Sequence, residues 1–425
     1  MMNVFDEFES RGMVYDVTEG LNQLLGHEKV TGYIGFDPSA ASLHVGNLLT
    51  IMGLVHLQRY GHTPIAVAGG GTGLIGDPSG KSQERRLLSK EEVQTNVEGI
   101  KEQLRRFLDF ETKSNPAILV NNADWLTTIS ITDFLRDVGK HFTVNTMIAK
   151  ESVKRRLEQE GISFTEFSYL LLQSFDYLFL YDNYHCTLQM GGSDQWGNIT
   201  AGADLIRRVH GAKVHGLVFP LLTTASGTKF GKSESGAIWL DEKLTSPYRF
   251  YQYWINTEDK DVITCLQRFT LLSPQEIKDL ADSVTSEPEK RNAQRKLASE
   301  VTRAVHGETA LKKAEQASRV LFGEEVHNLN LQEVLDIFAD VPSIELEKSL
   351  FSGNGIPLVD MVTAAGFALS KGEARRLIQN GGIYLNNIRN IDSKNTVSLA
   401  SAIEGRAIIL RKGQKEYRLI NISEH

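Results

Sequence analysis

Residues 69–82 read GGGTGLIGDPSGKS and follow the apolar run IAVA. Gly71, Gly73 and Gly76 have the G-x-G-x-x-G spacing of a loop that cradles a dinucleotide pyrophosphate, and Gly80, Lys81 and Ser82 end like a triphosphate-binding loop. Neither match survives. A dinucleotide loop opens directly into a helix, whereas Pro78 lacks a donor and pushes Asp77 out of helical geometry. Asp77 would also face the pyrophosphate with like charge. Glu91 and Glu92, at the distance of the ribose-binding acid, lie in a polar helical run. The triphosphate loop needs glycine at position 75, and the chain has Ile75. What remains is a glycine-rich turn that carries an acid and then Lys81, Arg85 and Arg86.

Two more segments fit phosphate chemistry. In GFDPSAASLHVGN (35–47) a strand ends at Asp37-Pro38, and His44 and Gly46 precede a long helix. Glycine there lets a bulky ligand approach, free amides at a helix start favour anions, and histidine can donate to a phosphate oxygen. A lone histidine at this place can equally be a cap. In TKFGKSESG (228–236) Lys229 and Lys232 stand three apart, followed by Ser233. By itself this is also what a solvated basic turn looks like.

A pocket can be argued from periodicity. Tyr33, Gly35 and Asp37 alternate along one strand and so share a face. In FTEFSYLLLQSFDY, Tyr169, Gln173 and Asp176 fall at i, i+4 and i+7, one polar stripe among Leu170, Leu171, Leu172 and Phe175. A partly exposed face would give the same stripe. The leucines argue for a buried helix, whose polar groups need partners that a ligand can supply.

These residues need a frame. VTGYIGF (30–36), TPIAVA (63–68), AILVNN (117–122) and HCTLQMGG (185–192) read as strands, with helical patterns such as NLLTIMGLVHLQRY (47–60) between them. Strand–helix repetition over this length predicts an α/β domain with a doubly wound parallel sheet, whose ligands bind at the carboxyl ends of the strands. Helical patterns dominate from about 243. The acidic segment 323–350 reads as a linker, and a compact unit starts near 355.

Bulk properties narrow the class. A chain of 425 residues is too long for one ordinary core. No apolar run reaches the roughly 18–20 residues of a membrane helix, and the start, MMNVFDEFES, lacks the apolar region of a secretory signal. Cys186 and Cys265 are the only cysteines and show no metal-ligand spacing, so a disulfide framework and a zinc site are not expected, and a reducing cytoplasm is. The net charge of −7 argues against nucleic acid, yet it is uneven. Residues 351–425 hold ten Lys or Arg and six Asp or Glu, a net of +4, while the rest holds 36 against 47, a net of −11. A mildly basic tail on an acidic body fits a polyanion.

HVGN near the start of the α/β domain and KFGKS near its end together resemble the two signature motifs of class I aminoacyl-tRNA synthetases. The likeness is closest to the bacterial tyrosyl members. It runs through YIGFDPSAASLHVGN, GGGTGLIGDPSGKSQERR, FTEFSYLLLQSFDY, QMGGSDQWGN and KFGKSESGAIWL, and on into the tail, which is similar to a small RNA-binding domain of a small-subunit ribosomal protein. The resemblance implies a Rossmann-like catalytic domain over 1–220, a signature loop and α-helical domain over 221–325, a linker over 326–350, and a small α+β RNA-binding domain over 351–425.

It also implies a reaction and roles. Tyrosine would be joined to AMP from ATP, with Mg2+ carried by the phosphates, and then passed to tRNA by a cytoplasmic homodimer. Such chemistry asks for positioning and charge rather than a nucleophile–base pair. His44 and the amides behind Gly46 would hold ATP phosphates, and Lys229 and Lys232 would close on the leaving pyrophosphate, with Lys81 and Arg85 as further cations. Tyr33 and Asp176 would read the substrate phenol, and Tyr169, Gln173 and Asp77 its ammonium. Gln195 would touch the substrate carboxylate or the amide side of the pocket. Gly35, Asp37, Thr50, Gly192, Asp194 and Ser233 join the ATP site, Asp194 on the ribose. Without the family, an acid in that helical turn would only offset the helix dipole. Asn122 and Trp125 would line the same pocket. Asn47 stands where the signature commonly has histidine and still donates a hydrogen bond. Ile34 stands where cysteine is frequent. In the tail Lys371, Arg375 and Arg376 fall within about one helical turn and would follow an RNA backbone. The alternatives are a tryptophan-specific sister enzyme, a related nucleotidyltransferase, or a non-catalytic RNA-binding protein on the same scaffold.

Overall fold

The computed structural model describes residues 3–79, 86–150, 153–154, 157, 161–223, 230–233, 236–321, 329–338, 341–413 and 416–423, with the backbone alone at 232, 233 and 336. The chain forms two compact units, Met1–Gly307 and Glu308–His425.

The first unit is built on a sheet in the order β1-β6-β5-β2-β3-β4. The strands are β1 (Asp16–Val17), β2 (Thr31–Phe36), β3 (Thr63–Ala68), β4 (Ile118–Asn121), β5 (Cys186–Gly192) and β6 (His215–Phe219). All neighbours run parallel except β1, which lies antiparallel on β6. The four expected strands are contiguous, in the order β5-β2-β3-β4, with β4 at one edge. Strands β6 and β1, beyond β5, were not anticipated, because VHGLVF is short and β1 has only two residues. Five of the six residues of TPIAVA are buried, as in a parallel strand covered on both faces.

The strand order reverses between β2 and β5. From β2 the chain moves outward to β3 and β4, then returns to β5 on the other side of β2. Open α/β sheets bind ligands in the crevice at such a point, outside the carboxyl ends of the strands. Four helices deliver the side chains that matter: α2 (Leu48–Arg59), α3 (Lys90–Leu104), α4 (Phe164–Tyr184) and α5 (Trp196–His210), with α1 (Val4–Ser10) preceding them. Helix α4 begins at Ser163, whose side chain accepts the amide of Glu166, and runs 21 residues. Its buried face includes Tyr169, Leu170, Leu171, Asp176, Tyr177 and Leu180.

Helices α6 (Pro247–Ile255), α7 (Asp259–Phe269) and α8 (Pro274–Ser286) follow within the same unit. The next helix, α9 (Asn292–Leu321), contains Gly307 at φ 84 and ψ 172. A side chain would be strained there, so glycine permits the break. The division between the units falls at this residue. The expected boundary near 325 is therefore displaced upstream. Asn387 Nδ2 donates to Val320 O at 2.7 Å and the Tyr417 hydroxyl to Leu321 O at 3.1 Å, which tie the end of α9 into the second unit.

The stretch 326–350, expected as a linker, carries α10 (Leu331–Ile337) and β9 (Ser343–Glu347). Strand β9 pairs in parallel with β15 (Glu416–Ser423) and completes a sheet in the order β12-β11-β14-β15-β9. Its other strands are β11 (Ile383–Leu385), β12 (Ile388–Asn390) and β14 (Ala407–Lys412); β10 (Ile356–Pro357) pairs with β13 (Thr396–Val397), and in the first unit β7 (Lys232–Ser233) pairs with β8 (Gly236–Ala237). Alternation in SIELE was masked by its charges: the strand buries no residue fully. Helices α11 (Leu358–Ala364) and α12 (Lys371–Gln379) pack on this sheet over Met361, Val362, Ile378, Ile383, Ile408 and Ile420.

Candidate active site

The loops after β2, β3, β4 and β5 meet at one end of the sheet. The glycine loop after β3 is shaped by backbone hydrogen bonds that need close approach. Gly69 N donates to Phe36 O at 2.9 Å, Gly70 N to Asn121 Oδ1 at 3.1 Å, and Gly71 N to Asn122 Oδ1 at 2.7 Å. A methyl group on Gly70 would lie 2.3 Å from Asn121 Oδ1. The glycines thus serve contacts with the β2 and β4 ends. Gly76, at φ 85, turns the chain before Asp77.

Asn122 joins this loop to α4. Its amide donates to Thr72 Oγ1 and to Asp176 Oδ2, each at 2.9 Å. Trp125 Nε1 donates to Asp176 Oδ1 at 2.7 Å. Asn122 and Trp125 were expected as pocket lining; both hold the carboxylate of Asp176. Burial pushes that carboxyl up to about 8, against the pull of these two donors.

Tyr33 is 2 % exposed, and among the described residues its hydroxyl has no hydrogen-bond partner. Burial raises its pKa well above the usual phenol value, with the Asp176 charge adding to the shift. Its ring meets Tyr177 edge-on at 5.4 Å. Gly35, two residues along β2, faces open space: nothing lies within 4 Å of an added Cβ.

Asp37 directly follows β2 at its carboxyl end. It accepts from the Tyr169 hydroxyl at 2.9 Å and from Thr72 Oγ1 at 2.7 Å. Asp37 was placed with ATP, yet its partners here belong to the polar helix and the glycine loop. Asp77 accepts from Gln195 Nε2 at 2.6 Å and from Ser79 N at 2.9 Å. Asn198 Nδ2 then bridges Gln173 Oε1 at 2.9 Å and Gln195 Oε1 at 3.1 Å. Gln173, Asn198, Gln195 and Asp77 thus form one connected polar group, while Tyr169 is tied to Asp37 and through it to Thr72.

Asp194 is exposed beside Gly192, where an added Cβ would lie 2.6 Å from its Oδ1. Glycine at 192 is what gives the carboxylate its place.

His44 differs from expectation in detail. Gly46 N donates to its Nδ1 at 2.9 Å, and His44 N donates to Asn47 Oδ1 at 3.0 Å. An added Cβ on Gly46 would lie 2.6 Å from the imidazole Cε1. The room at Gly46 is therefore filled by the His44 ring, and the Gly46 amide is engaged with it. Asn47 caps the turn through its oxygen. Thr50 Oγ1 donates back to Asn47 O at 2.8 Å, the ordinary helix back-bond.

The two signature segments are stitched together. Val45 N donates to Ile238 O at 2.9 Å and Leu240 N to Leu43 O at 2.9 Å, and Ile238 N donates to Gly231 O at 3.1 Å. The backbone of Lys232–Ser233 pairs antiparallel with Gly236–Ala237. Lys81, Arg85 and Lys229 lie outside the described residues, as do the side chains of Lys232 and Ser233.

Three residues of the site escaped the sequence reading: Thr72, Gln189 and Asn198. Gln189 is 2 % exposed, is paired in register with Tyr33, and has an Oε1 without a partner among the described residues. A lone glutamine inside the apolar strand CTLQM was the available signal.

In the second unit, Arg375 and Arg376 are exposed on α12. Lys371 is held by Asp360 at 2.7 Å. The Arg411 guanidinium lies 3.9 Å from the Tyr384 ring centroid, a cation–π pair.

Comparison with known proteins agrees with this geometry. The family model for tRNA synthetases class I (W and Y) matches residues 25–323, and that for the tyrosine–tRNA ligase SYY-like C-terminal domain matches 333–420. The chain is 57% identical to a tyrosine–tRNA ligase of Roseiflexus castenholzii over 99% of this chain and 100% of that one. It is 53% identical to the enzyme of Geobacillus stearothermophilus, over 99% of both. Among solved structures, a C-terminally truncated mitochondrial tyrosyl-tRNA synthetase of Aspergillus nidulans aligns with a TM-score of 0.70 and 30% identity, over 76% of this chain and 95% of that one. With its signature segments, its polar pocket and its tail all in the family's order, the chain belongs to the tyrosine–tRNA ligases of the class I aminoacyl-tRNA synthetases.

Proposed function

We propose that the chain activates L-tyrosine with ATP and transfers it to the 3′ end of its tRNA. One observation carries the tyrosine assignment: among the described residues the Tyr33 hydroxyl is buried without a partner near the Asp176 carboxyl, on the strand whose Gly35 leaves open space. A buried polar pair of this kind costs free energy until a phenol fills it. The same pair would be left unpaired by phenylalanine, which is the source of selectivity.

In the first step a tyrosine carboxylate oxygen attacks the α-phosphorus, the bond to the bridging oxygen breaks, and pyrophosphate leaves. In the second a terminal ribose hydroxyl of tRNA attacks the acyl carbon and AMP leaves. In this reading Tyr33 and Asp176 take the phenol, and Asp77, Tyr169 and Gln173 surround the ammonium with acceptors. His44 and Asn47 meet the phosphates, Asp194 the ribose, and Lys81, Arg85, Lys229 and Lys232 the departing charge. Mg2+ enters with ATP. Among the described residues no group of three or more His, Cys, Asp or Glu side chains is placed to hold a metal, so the ion would draw most of its ligands from phosphate oxygens and water.

A homodimer is part of the proposal. Phe164 at 78 % and Ile131 at 75 % exposure, with Val144 and Leu135, are apolar side chains open to solvent on the first unit that a second copy could cover. Arg375 and Arg376 on α12 would meet the tRNA backbone. A cytoplasmic location goes with the substrates, ATP and tRNA.

The test is tyrosine-dependent exchange of labelled pyrophosphate into ATP. Exchange with tyrosine and none with tryptophan supports the reading; the reverse overturns it in favour of the tryptophan enzyme.

A further inference from the structure

Phe230 stands between the two lysines of KFGKS and turns away from the phosphate chemistry. Its ring stacks on Phe269 at 5.5 Å with an interplanar angle of 12°, meets Tyr253 edge-on at 5.9 Å, and lies 5.8 Å from Trp254. Trp254 is fully buried and Phe269 nearly so. These partners sit on α6 and α7, outside the sheet. The socket is rigid aromatic packing, which fixes orientation as well as position.

The next residue is gripped at both ends of its backbone. Gly231 N donates to the Tyr253 hydroxyl at 3.0 Å, and Gly231 O accepts from Ile238 N at 3.1 Å. Its φ of 81 excludes most side chains. It also lies against the other signature segment: a Cβ there would be 3.1 Å from Gly46 N and 3.5 Å from the Val45 Cβ. One glycine thus touches the turn that carries His44 and opens the strand that carries Lys232.

We propose that Phe230 and Tyr253 are positioning residues for the adenylation step: Phe230 plugs the aromatic socket, Tyr253 holds the Gly231 amide, and together they set where the Lys232 backbone starts relative to the His44 turn. Neither touches a substrate. Tyr253 hydrogen-bonds a backbone amide that would otherwise be left without that acceptor, and the socket supplies a fixed anchor for a basic loop whose own sequence offers little packing. Charge stabilisation of a leaving pyrophosphate depends on placement to fractions of an ångström, so the anchor acts on rate rather than on tyrosine affinity. This inference rests on the reading that Lys232 serves the leaving pyrophosphate.

The test uses the full-length protein and the variants Phe230→Leu, Phe230→Ala, Tyr253→Phe and Lys232→Ala. The rate of tyrosyl-adenylate formation is measured by stopped flow, tyrosine affinity by equilibrium dialysis, and tyrosyl transfer to tRNA from preformed enzyme-bound adenylate. Adenylate formation is expected to slow about ten- to a hundredfold in Phe230→Ala and about fivefold in Tyr253→Phe, with tyrosine affinity and transfer unchanged. Phe230→Leu keeps apolar volume and should fall between wild type and Phe230→Ala. In a Lys232→Ala background, Phe230→Ala should add little, because the positioned group is gone. Additive losses, or losses of affinity and transfer in step with adenylate formation, would overturn the proposal in favour of a merely structural socket. Unchanged adenylate formation in Phe230→Ala beside a loss in Lys232→Ala would overturn it as well. A loss in Phe230→Ala with none in Lys232→Ala would strike the lysine reading instead.

Discussion

Asn122 and Asp176 lie 2.9 Å apart, amide nitrogen to carboxylate oxygen, although 54 residues separate them in sequence. Asn122 also accepts the amide of Gly71 at 2.7 Å. One side chain therefore registers the glycine loop against the polar helix. Asn122→Ala is expected to weaken tyrosine binding by up to about tenfold, since an intramolecular hydrogen bond is worth about 0.5–1.5 kcal/mol and Trp125 remains. The KM for ATP in pyrophosphate exchange should change less. Equal changes in both would contradict the assigned role.

Asp176→Asn tests the phenol pocket directly. Asparagine keeps the size but turns a donor toward either Asn122 or Trp125. Tyrosine affinity should fall by more than tenfold, more than the affinity for ATP does. Equilibrium dialysis with each substrate gives the ratio.

The same carboxyl predicts a pH effect on the empty protein. Its folded pKa of about 8 lies above the unfolded value, so the folded state holds more protons between about pH 4 and 8. Stability from this group is present at low pH and is lost as pH rises through 8, by at most about 1.4 kcal/mol per pH unit. Thermal melts at several pH values should show a falling Tm over this window. In Asp176→Asn the fall should be shallower. Equal slopes would exclude Asp176 as the source.

Tyr33→Phe should separate folding from function. The hydroxyl has no partner in the described structure, so its removal should leave Tm unchanged or raise it. Tyrosine binding should weaken about five- to tenfold, and discrimination against phenylalanine should shrink. A lower Tm together with unaltered affinity would show that the hydroxyl serves the fold.

For the tail, Arg375→Glu with Arg376→Glu should abolish tRNA charging at moderate salt and leave tyrosine-dependent exchange intact. Both side chains are exposed on α12, so folding should survive. Filter binding at two salt concentrations checks the electrostatic origin. Loss of exchange would place the defect elsewhere.

Much of this was legible in the sequence because it is local. The strands β2, β3, β4 and β5, the polar stripe of Tyr169, Gln173 and Asp176, and the carboxyl-end glycines follow from period and spacing. What was not legible is long-range. Asn122 and Trp125 hold Asp176 across more than 50 residues, and no local pattern announces that pairing. Asn198 bridges two glutamines from two elements. Strand β9 hid behind two glutamates whose alternation suits a half-exposed edge. The unit boundary at Gly307 was hidden by helical periodicity that continues on both sides of it. The capping role of Asn47 was also missed: its spacing from His44 matched the signature, and its oxygen closes the turn.

The hydrogen bond from Gly46 N to His44 Nδ1 decides where the imidazole keeps its proton. A backbone amide can only donate, so Nδ1 must accept, and the neutral ring carries its hydrogen on Nε2. The backbone thus selects one tautomer before any nucleotide arrives. A neutral ring so held can act as a donor only through Nε2.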